Sequence, residues 1–371
     1  MSIEALIEIS RYYGSKPGYV LAGGGNTSWK DGQTLYVKGS GFSLAGVTAD
    51  SFVKMDRNVL AGIWDKHYPE SSAERESAVL ADMMAAKMPG EENKRPSVEA
   101  LLHDIMPFAL VVHLHPALVN GLTCSRQGET AMKDIFKNDA VWIPSTNPGY
   151  VLAQTVKTAL ETYSAVHGKA PPIIFLQNHG VFAGGNCGNC IKAIYNEIME
   201  KIGQRIHRQP DFSDVKRYTG DVSPPMAGII QTLSELAAGY AIGMQGAEIA
   251  ALVKSRDTFA PAASALSPDH IVYAGSDPLF IEDPAALREA WDRHVQATGR
   301  NPKIAAVQGL GIFGVAATEK AAGLALDIFM DAAEVLVYTE AFGGPLYMDR
   351  DKIDFINNWE VENYRIKVSA Q

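Results

Sequence analysis

Three histidines carry the first chemical signal in this chain. Leu110-Val111-Val112-His113-Leu114-His115-Pro116 is a short apolar, β-branched run that a proline stops. Side chains alternate faces along a strand, so His113 and His115 point the same way and can grip one metal ion. Catalytic zinc sites take three protein ligands and keep a position for water or substrate, so a third ligand is required. The best candidate is His179, delivered at the end of another apolar strand, Ile173-Ile174-Phe175-Leu176. Gly180 follows it, where the backbone is expected to turn tightly. A lone histidine at a strand end is usually a satisfied polar residue. Two strands that end in this way favour a metal site.

A carboxylate and two glycine-rich corners lie upstream. Pro96-Ser97-Val98-Glu99 reads as the start of a helix, with Ser97 as its N-cap and Glu99 in its first turn. This helix feeds directly into the His113/His115 strand. Glu99 is therefore a candidate metal ligand, a general base, or a surface residue favoured by the helix dipole. His103 stands four residues on, on the same face, and reads as a buried helix histidine rather than a ligand. Gly23-Gly24-Gly25-Asn26 separates strand-like runs at 19–22 and 27–29. Asp31-Gly32 turns a hairpin, and the returning strand 34–37 runs into Lys38-Gly39-Ser40-Gly41. Such corners either only turn the chain or offer free backbone N–H groups as anion-binding nests, to which Asn26, Lys38 and Ser40 add donors for a phosphate. No Gly-Lys-Ser/Thr follows either corner, and no strand–GxGxxG–helix unit with a distant acid is present, so no nucleotide cofactor is expected.

The elements that position these residues follow from periodicity. Helices are predicted over 3–13, over 74–88 with Met83 and Met84 as core filler, and over 117–124, 151–163 and 187–206. Strands are predicted at 141–143, 173–176 and 181–182. Cys187-Gly188-Asn189-Cys190 opens the last of the helices, but no thioredoxin-like βαβ context surrounds it, which argues against a redox or zinc role. The polar, proline-bearing stretch 208–225 marks a boundary between a catalytic domain, 1–210, and a second domain, 226–371. The second domain reads as helix 228–240, a mixed stretch 248–268, strand 270–273, helix 284–297, a strand–corner–strand over 303–314, and helix 318–341. Gln177, Gly180 and Phe182 match Gln308, Gly311 and Phe313, each pair 131 residues apart. A strand–glycine corner–strand–helix unit thus occurs twice, with Leu310 where the first copy has His179. The second domain is expected to be a degenerate copy without metal ligands.

Composition narrows the partners. At 371 residues, 47% hydrophobic and 20% charged, the chain suits a globular enzyme with more than one domain. A net charge of −9 argues against nucleic acid and anionic membranes as partners. No apolar run approaches 18 residues, so no membrane-spanning helix is predicted. The start, Met1-Ser2-Ile3-Glu4-Ala5, lacks the basic region and apolar core of a signal peptide. Three cysteines are too few and too clustered for a disulfide framework, which fits a reducing cytoplasm.

Over residues 19–205 the chain resembles the class II aldolase/adducin family. Five motifs carry the resemblance in order: Gly24-Gly25-Asn26-Thr27-Ser28, Lys38-Gly39-Ser40-Gly41, Ser97-Val98-Glu99, His113-Leu114-His115-Pro116 and Asn178-His179-Gly180. The resemblance implies that His113, His115 and His179 bind zinc or another divalent transition metal, that Glu99 is the acid/base, and that Gly25, Asn26, Ser40, Gly41 and Ser97 line a phosphate site. Family sites often have two small polar residues before the glutamate, and Val98 occupies the second of these places. The implied fold is a three-layer α/β/α domain with a largely antiparallel sheet, commonly a homotetramer with sites near subunit interfaces. The chain as a whole looks most like the aldolase part of bifunctional rhamnulose-1-phosphate aldolase/alcohol dehydrogenase proteins. Those continue into a short-chain dehydrogenase domain, and an aldolase part without that half is expected here.

The implied reaction is retro-aldol cleavage of a phosphorylated ketose. The metal would stabilise the enediolate, and Glu99, with a pKa near neutral, would move the proton. An epimerase or decarboxylase on the same fold is the alternative. An adducin-like scaffold is a third reading, which the complete histidine set and Glu99 disfavour.

Overall fold

The structure is a computed structural model that describes residues 2–219 and 222–359. Residues 360–371, the end of the expected second domain, lie outside the described residues. The chain divides into two units. One comprises 2–123, 127–205 and Trp359; the other comprises 124–126, 206–219 and 222–358.

The first unit is built on seven strands: β1 (Asn26–Asp31), β2 (Thr34–Lys38), β3 (Phe52–Asp56), β4 (Leu110–Leu114), β5 (Ala140–Ile143), β6 (Ile173–Leu176) and β7 (Gly180–Gly185). Their order is β3-β2-β1-β4-β7-β6-β5. Every neighbouring pair is antiparallel except β5 and β6. Helices Arg57–Ala61, Ser72–Ala85, Ala100–Ile105 and Tyr150–His167 pack together on one face. Helices Ile3–Gly14, Ala117–Thr123 and Gly188–Gly203 cover the other. The result is the three-layer, largely antiparallel architecture expected. On the first of these faces the core gathers Leu35, Val53, Val79, Met83, Leu101, Val111, Val156, Ile174 and Phe182. β4 is buried along its whole length, which is why its sequence is nearly all apolar apart from His113.

Two local expectations change. No strand forms over 19–22; the chain instead makes a turn at Ala22, which has φ +52°. Gly25 then enters β1 at φ +64°, and a Cβ there would lie 2.9 Å from the carbonyl oxygen of His113. Only glycine allows β1 and β4 to approach so closely at this point. At the β6–β7 corner the turn belongs to Asn178, with φ +58°, and not to Gly180. Gly180 is needed for space, because a Cβ would sit 2.6 Å from both the Leu114 carbonyl and the His115 ring.

The second unit holds β8 (Lys216–Tyr218), β9 (Tyr240–Gln245), β10 (Leu279–Ile281), β11 (Ile304–Val307) and β12 (Gly311–Ala316), in the order β10-β11-β12-β9-β8. Only β10 and β11 are parallel. The polar stretch 208–225 is therefore more than a linker, since it supplies the edge strand β8. The strand expected at 270–273 is a π-helical turn, His270–Ala274, buried throughout. A short apolar run looks the same in sequence whether it is a buried strand or a buried helix turn.

Candidate active site

The sheet brings the histidines together. β1 pairs with β4 so that Asn26 stands opposite His113, and β4 pairs with β7 so that His113 stands opposite Phe182. His115 lies just past β4, and His179 sits in the β6–β7 corner. Their ligand atoms fall within 4.8 Å of one another. The Nε2 atoms of His113 and His115 are 2.8 Å apart. His113 is fully buried and stacks on Phe182 at 4.0 Å. Its Nδ1 lies 3.1 Å from the Val181 carbonyl, which can only accept, so Nδ1 carries the proton and Nε2 keeps its lone pair. Burial pushes the His113 pKa well below its ordinary value, so the ring is neutral, the form in which imidazole binds a metal.

Glu99 completes the cluster. The helix begins at Ala100, later than expected, and Glu99 precedes it at φ −90°, ψ 11°. This places the side chain across from the histidines instead of in a first turn. Its Oε1 lies 3.4 Å from Nε2 of His113 and 3.6 Å from Nε2 of His179. Among the described residues this buried oxygen has no hydrogen-bond partner. Oε2 accepts from the Asn26 amide at 2.5 Å. Burial opposes ionisation of Glu99, and the Asn26 amide, by donating to Oε2, favours the carboxylate. The side chain thus presents one oxygen to the histidines, where a carboxylate can accept a proton. Ser97 serves the turn before the helix, its Oγ accepting from the Glu99 N–H and the Asn26 amide at 3.2 and 3.1 Å.

The glycine corners differ from simple anion nests. The N–H of Gly24 donates to Leu21, that of Gly39 to Ser51, and that of Ser40 to Arg95, so these three already have acceptors. The Ser40 hydroxyl donates to the Pro96 carbonyl at 3.1 Å. Lys38 is buried and donates to the carbonyls of Phe42 and Gly23, at 2.6 and 3.4 Å, so its ammonium ties the two corners together. Gly41, at φ +91°, lies in the second corner.

A divalent cation fits these residues. Three imidazoles converge beside an ionised carboxylate whose inner oxygen is unsatisfied, and nitrogen and oxygen donors of this kind suit zinc and its neighbours. An orphaned buried carboxylate oxygen is costly, and a cation held between Glu99 and the histidines would satisfy it.

Residues 4–199 match the family model described as the class II aldolase and adducin N-terminal domain. The chain belongs to the class II aldolase/adducin family. Among relatives, it is 26% identical over 309 residues to YuxG of Bacillus subtilis (strain 168), described as an uncharacterized oxidoreductase. That match covers 76% of this chain, which spans 42% of the length of YuxG. The N-terminal class II aldolase domain of a conserved Thermoplasma acidophilum protein is 25% identical, with TM-score 0.46, and the match covers 55% of this chain and 93% of that one. L-Fuculose-1-phosphate aldolase of Thermus thermophilus is 16% identical, with TM-score 0.36, over 54% of this chain and 94% of that one. No helix among the described residues is long and apolar enough to cross a membrane.

In this aldolase-family unit His103 has a larger part than its sequence suggested. It is fully buried, and burial holds its pKa down to about 3, so it is neutral. The Asn26 amide nitrogen faces Glu99, so Asn26 Oδ1 faces His103 Nε2, which must donate. His103 Nδ1 then accepts from Ser28 Oγ at 2.7 Å. The chain Ser28–His103–Asn26–Glu99 fixes the carboxylate. The one hint in sequence was the four-residue spacing of Glu99 and His103.

Proposed function

We propose that the protein is a metal-dependent aldolase that cleaves a phosphorylated ketose of the rhamnulose- or fuculose-1-phosphate kind into dihydroxyacetone phosphate and an aldehyde. The unpartnered Glu99 Oε1 between the Nε2 atoms of His113 and His179 carries this reading. A divalent cation bound there supplies Lewis-acid polarisation of the substrate carbonyl. Glu99 moves the proton at the carbon beside that carbonyl, as base in one direction and as its conjugate acid in the other. Asn26 aims Glu99, and His103 locks Asn26 in the orientation that donates to the carboxylate. Lys38 brings positive charge between the corners at Gly25 and Gly41, where the substrate phosphate would lie, with Ser40 and Ser97 as neighbouring hydroxyls. Holding the phosphate fixes the bond to be cleaved relative to Glu99. The family's habit supports a homo-oligomer, and zinc is the cation the donor set favours.

Incubation of the metal-loaded protein with candidate ketose 1-phosphates, followed by NMR, tests this reading. Dihydroxyacetone phosphate together with an aldehyde is expected. An isomer formed without cleavage, or carbon dioxide released from a β-keto acid, would replace the aldolase with an epimerase or a decarboxylase. No turnover with any of them would overturn the sugar-phosphate reading.

A further inference from the structure

Cys187-Gly188-Asn189-Cys190 has no part in the aldol chemistry, yet the structure joins Cys187 to Cys190 as a disulfide. The pair opens the sixteen-residue helix Gly188–Gly203, with Cys187 as the residue before the helix. Cys187 Sγ accepts from the Cys190 backbone N–H at 3.0 Å. Cys190 is exposed and Cys187 half-buried, so small reagents can reach the bond. Cys124, by contrast, is fully buried. The strand β7 separates the pair from the His179 corner, which at strand rise is roughly 20 Å.

A crosslink over so short a loop removes little freedom from the unfolded chain, so it is a poor staple. Its position suits exchange much better. A thiolate on Cys187 receives the Cys190 N–H and the positive end of the helix, both of which lower a thiol pKa. We infer that Cys187 and Cys190 form a redox-active pair that exchanges with low-molecular-weight dithiols and disulfides. In reduction, a thiolate of the dithiol attacks the exposed Cys190 sulfur. The Cys187–Cys190 bond breaks, and its electron pair leaves on Cys187. The second thiolate of the reductant then attacks its own sulfur in the mixed disulfide and expels Cys190. Two electrons and two protons pass from the dithiol to the pair, and the reductant leaves as a disulfide. Oxidation by a small disulfide runs the same steps in reverse.

The test equilibrates the full chain, natively folded, in dithiothreitol or in oxidised glutathione, then traps thiols with iodoacetamide and maps them by mass. Full reduction should add two labels at Cys187 and Cys190, oxidation should remove both, and the cycle should reverse. In Cys190→Ser, Cys187 should alkylate at pH 7 at least about tenfold faster than in the urea-unfolded variant, with metal content unchanged. A pair that stays reduced in oxidised glutathione, one that resists excess dithiothreitol, or a Cys187 no faster than when unfolded would each overturn the inference. Should Cys190→Ser not fold, the wild-type cycle alone decides.

Discussion

The corner between β6 and β7 and the corner between β11 and β12 have nearly the same backbone and opposite chemistry. In each unit the strands run in one local order, β4-β7-β6-β5 and β9-β12-β11-β10, with the outer pair parallel. Gln177 N–H donates to Ile143, and Gln308 N–H to Ile281, both at 2.9 Å. Asn178 and Gly309 both hold positive φ, +58° and +67°. Gly180 and Gly311 both face a carbonyl that a Cβ would approach to 2.6 Å. Leu114 pairs with Val181 in the first unit and Met244 with Ile312 in the second, so Gly243, Gln245 and Leu310 stand where His113, His115 and His179 stand. The place of the His113 ring is filled from a helix: a Cβ on Gly243 would lie 2.7 Å from the Met226 sulfur. Gln245 turns its amide to the Leu310 carbonyl at 2.7 Å. Among the described residues, the second unit has no counterparts of β2 and β3, which frame the glycine corners. The hydrogen bonds that make the corner are therefore separable from the three histidines, whose places in the second unit are taken by packing side chains and an engaged amide.

The largest effect should come from giving the first corner the second corner's residue. His179→Leu removes one of three ligands and leaves an apolar group beside the cation. Losing several kcal/mol of Lewis-acid stabilisation corresponds to a fall in turnover of about three decades or more. Elemental analysis should find metal dropping from one per chain to near zero, while far-ultraviolet circular dichroism stays as in the wild type. Full metal occupancy in this variant would break the ligand assignment and, with it, the contrast between the corners.

Glu99→Gln sharpens the contrast from the other side, since it keeps the three histidines. Metal should be retained and turnover should fall by about two to four decades, the usual worth of one acid/base group. Unchanged turnover would transfer the proton-moving role to another residue. Asn26→Ala comes next. The family resemblance assigns Asn26 to the phosphate site, but its amide donates to Glu99 and Ser97 and its carbonyl accepts from His103. Loss of a hydrogen bond to a charged group predicts a fall of about one to two decades in kcat. The Michaelis constant for a phosphorylated substrate should move little. A change confined to that constant would restore the phosphate role.

What could be read in the sequence follows how local each signal is. His113 and His115 share a face by the period of a strand, and His179 ends a second apolar strand, so three residues declared one site across more than sixty positions. The Ser28–His103–Asn26–Glu99 chain was hidden because it joins two separate elements through β1 register that no single stretch encodes. Lys38 shows the same limit: as a type it is a phosphate donor, and only the fold reveals that its ammonium holds Gly23 and Phe42 together. β9 escaped notice because Tyr240-Ala241-Ile242-Gly243-Met244-Gln245 is poor in β-branched residues and carries a glycine where Met226 packs. Ile271-Val272-Tyr273 shows the opposite case, since its composition is β-rich and yet it forms a buried π-helical turn.

The smallest effect is expected from the reverse exchange. Leu310→His returns one imidazole to the second corner, whose backbone already matches that of the first. It should not create a metal site. A single histidine leaves the cation without the second and third protein ligands that such sites need. Gln245 has its amide engaged with the corner carbonyl, and a neutral amide is a poor substitute for imidazole. Gly243→His cannot simply be added, because the new side chain would enter space held by the Met226 sulfur and the Phe313 ring, at 2.7 and 3.2 Å from its Cβ. Overpacking of that kind costs about 1–3 kcal/mol before any metal binds. Leu310 itself is half-buried, so the single exchange should change stability by only about 1 kcal/mol. Wild type and Leu310→His should therefore both bind one zinc per chain in a calorimetric titration, and Leu310→His combined with His179→Leu should bind none. A second equivalent in Leu310→His, or one equivalent in the double variant, would show that the second unit still holds a metal-binding site and that the two corners differ by one residue alone.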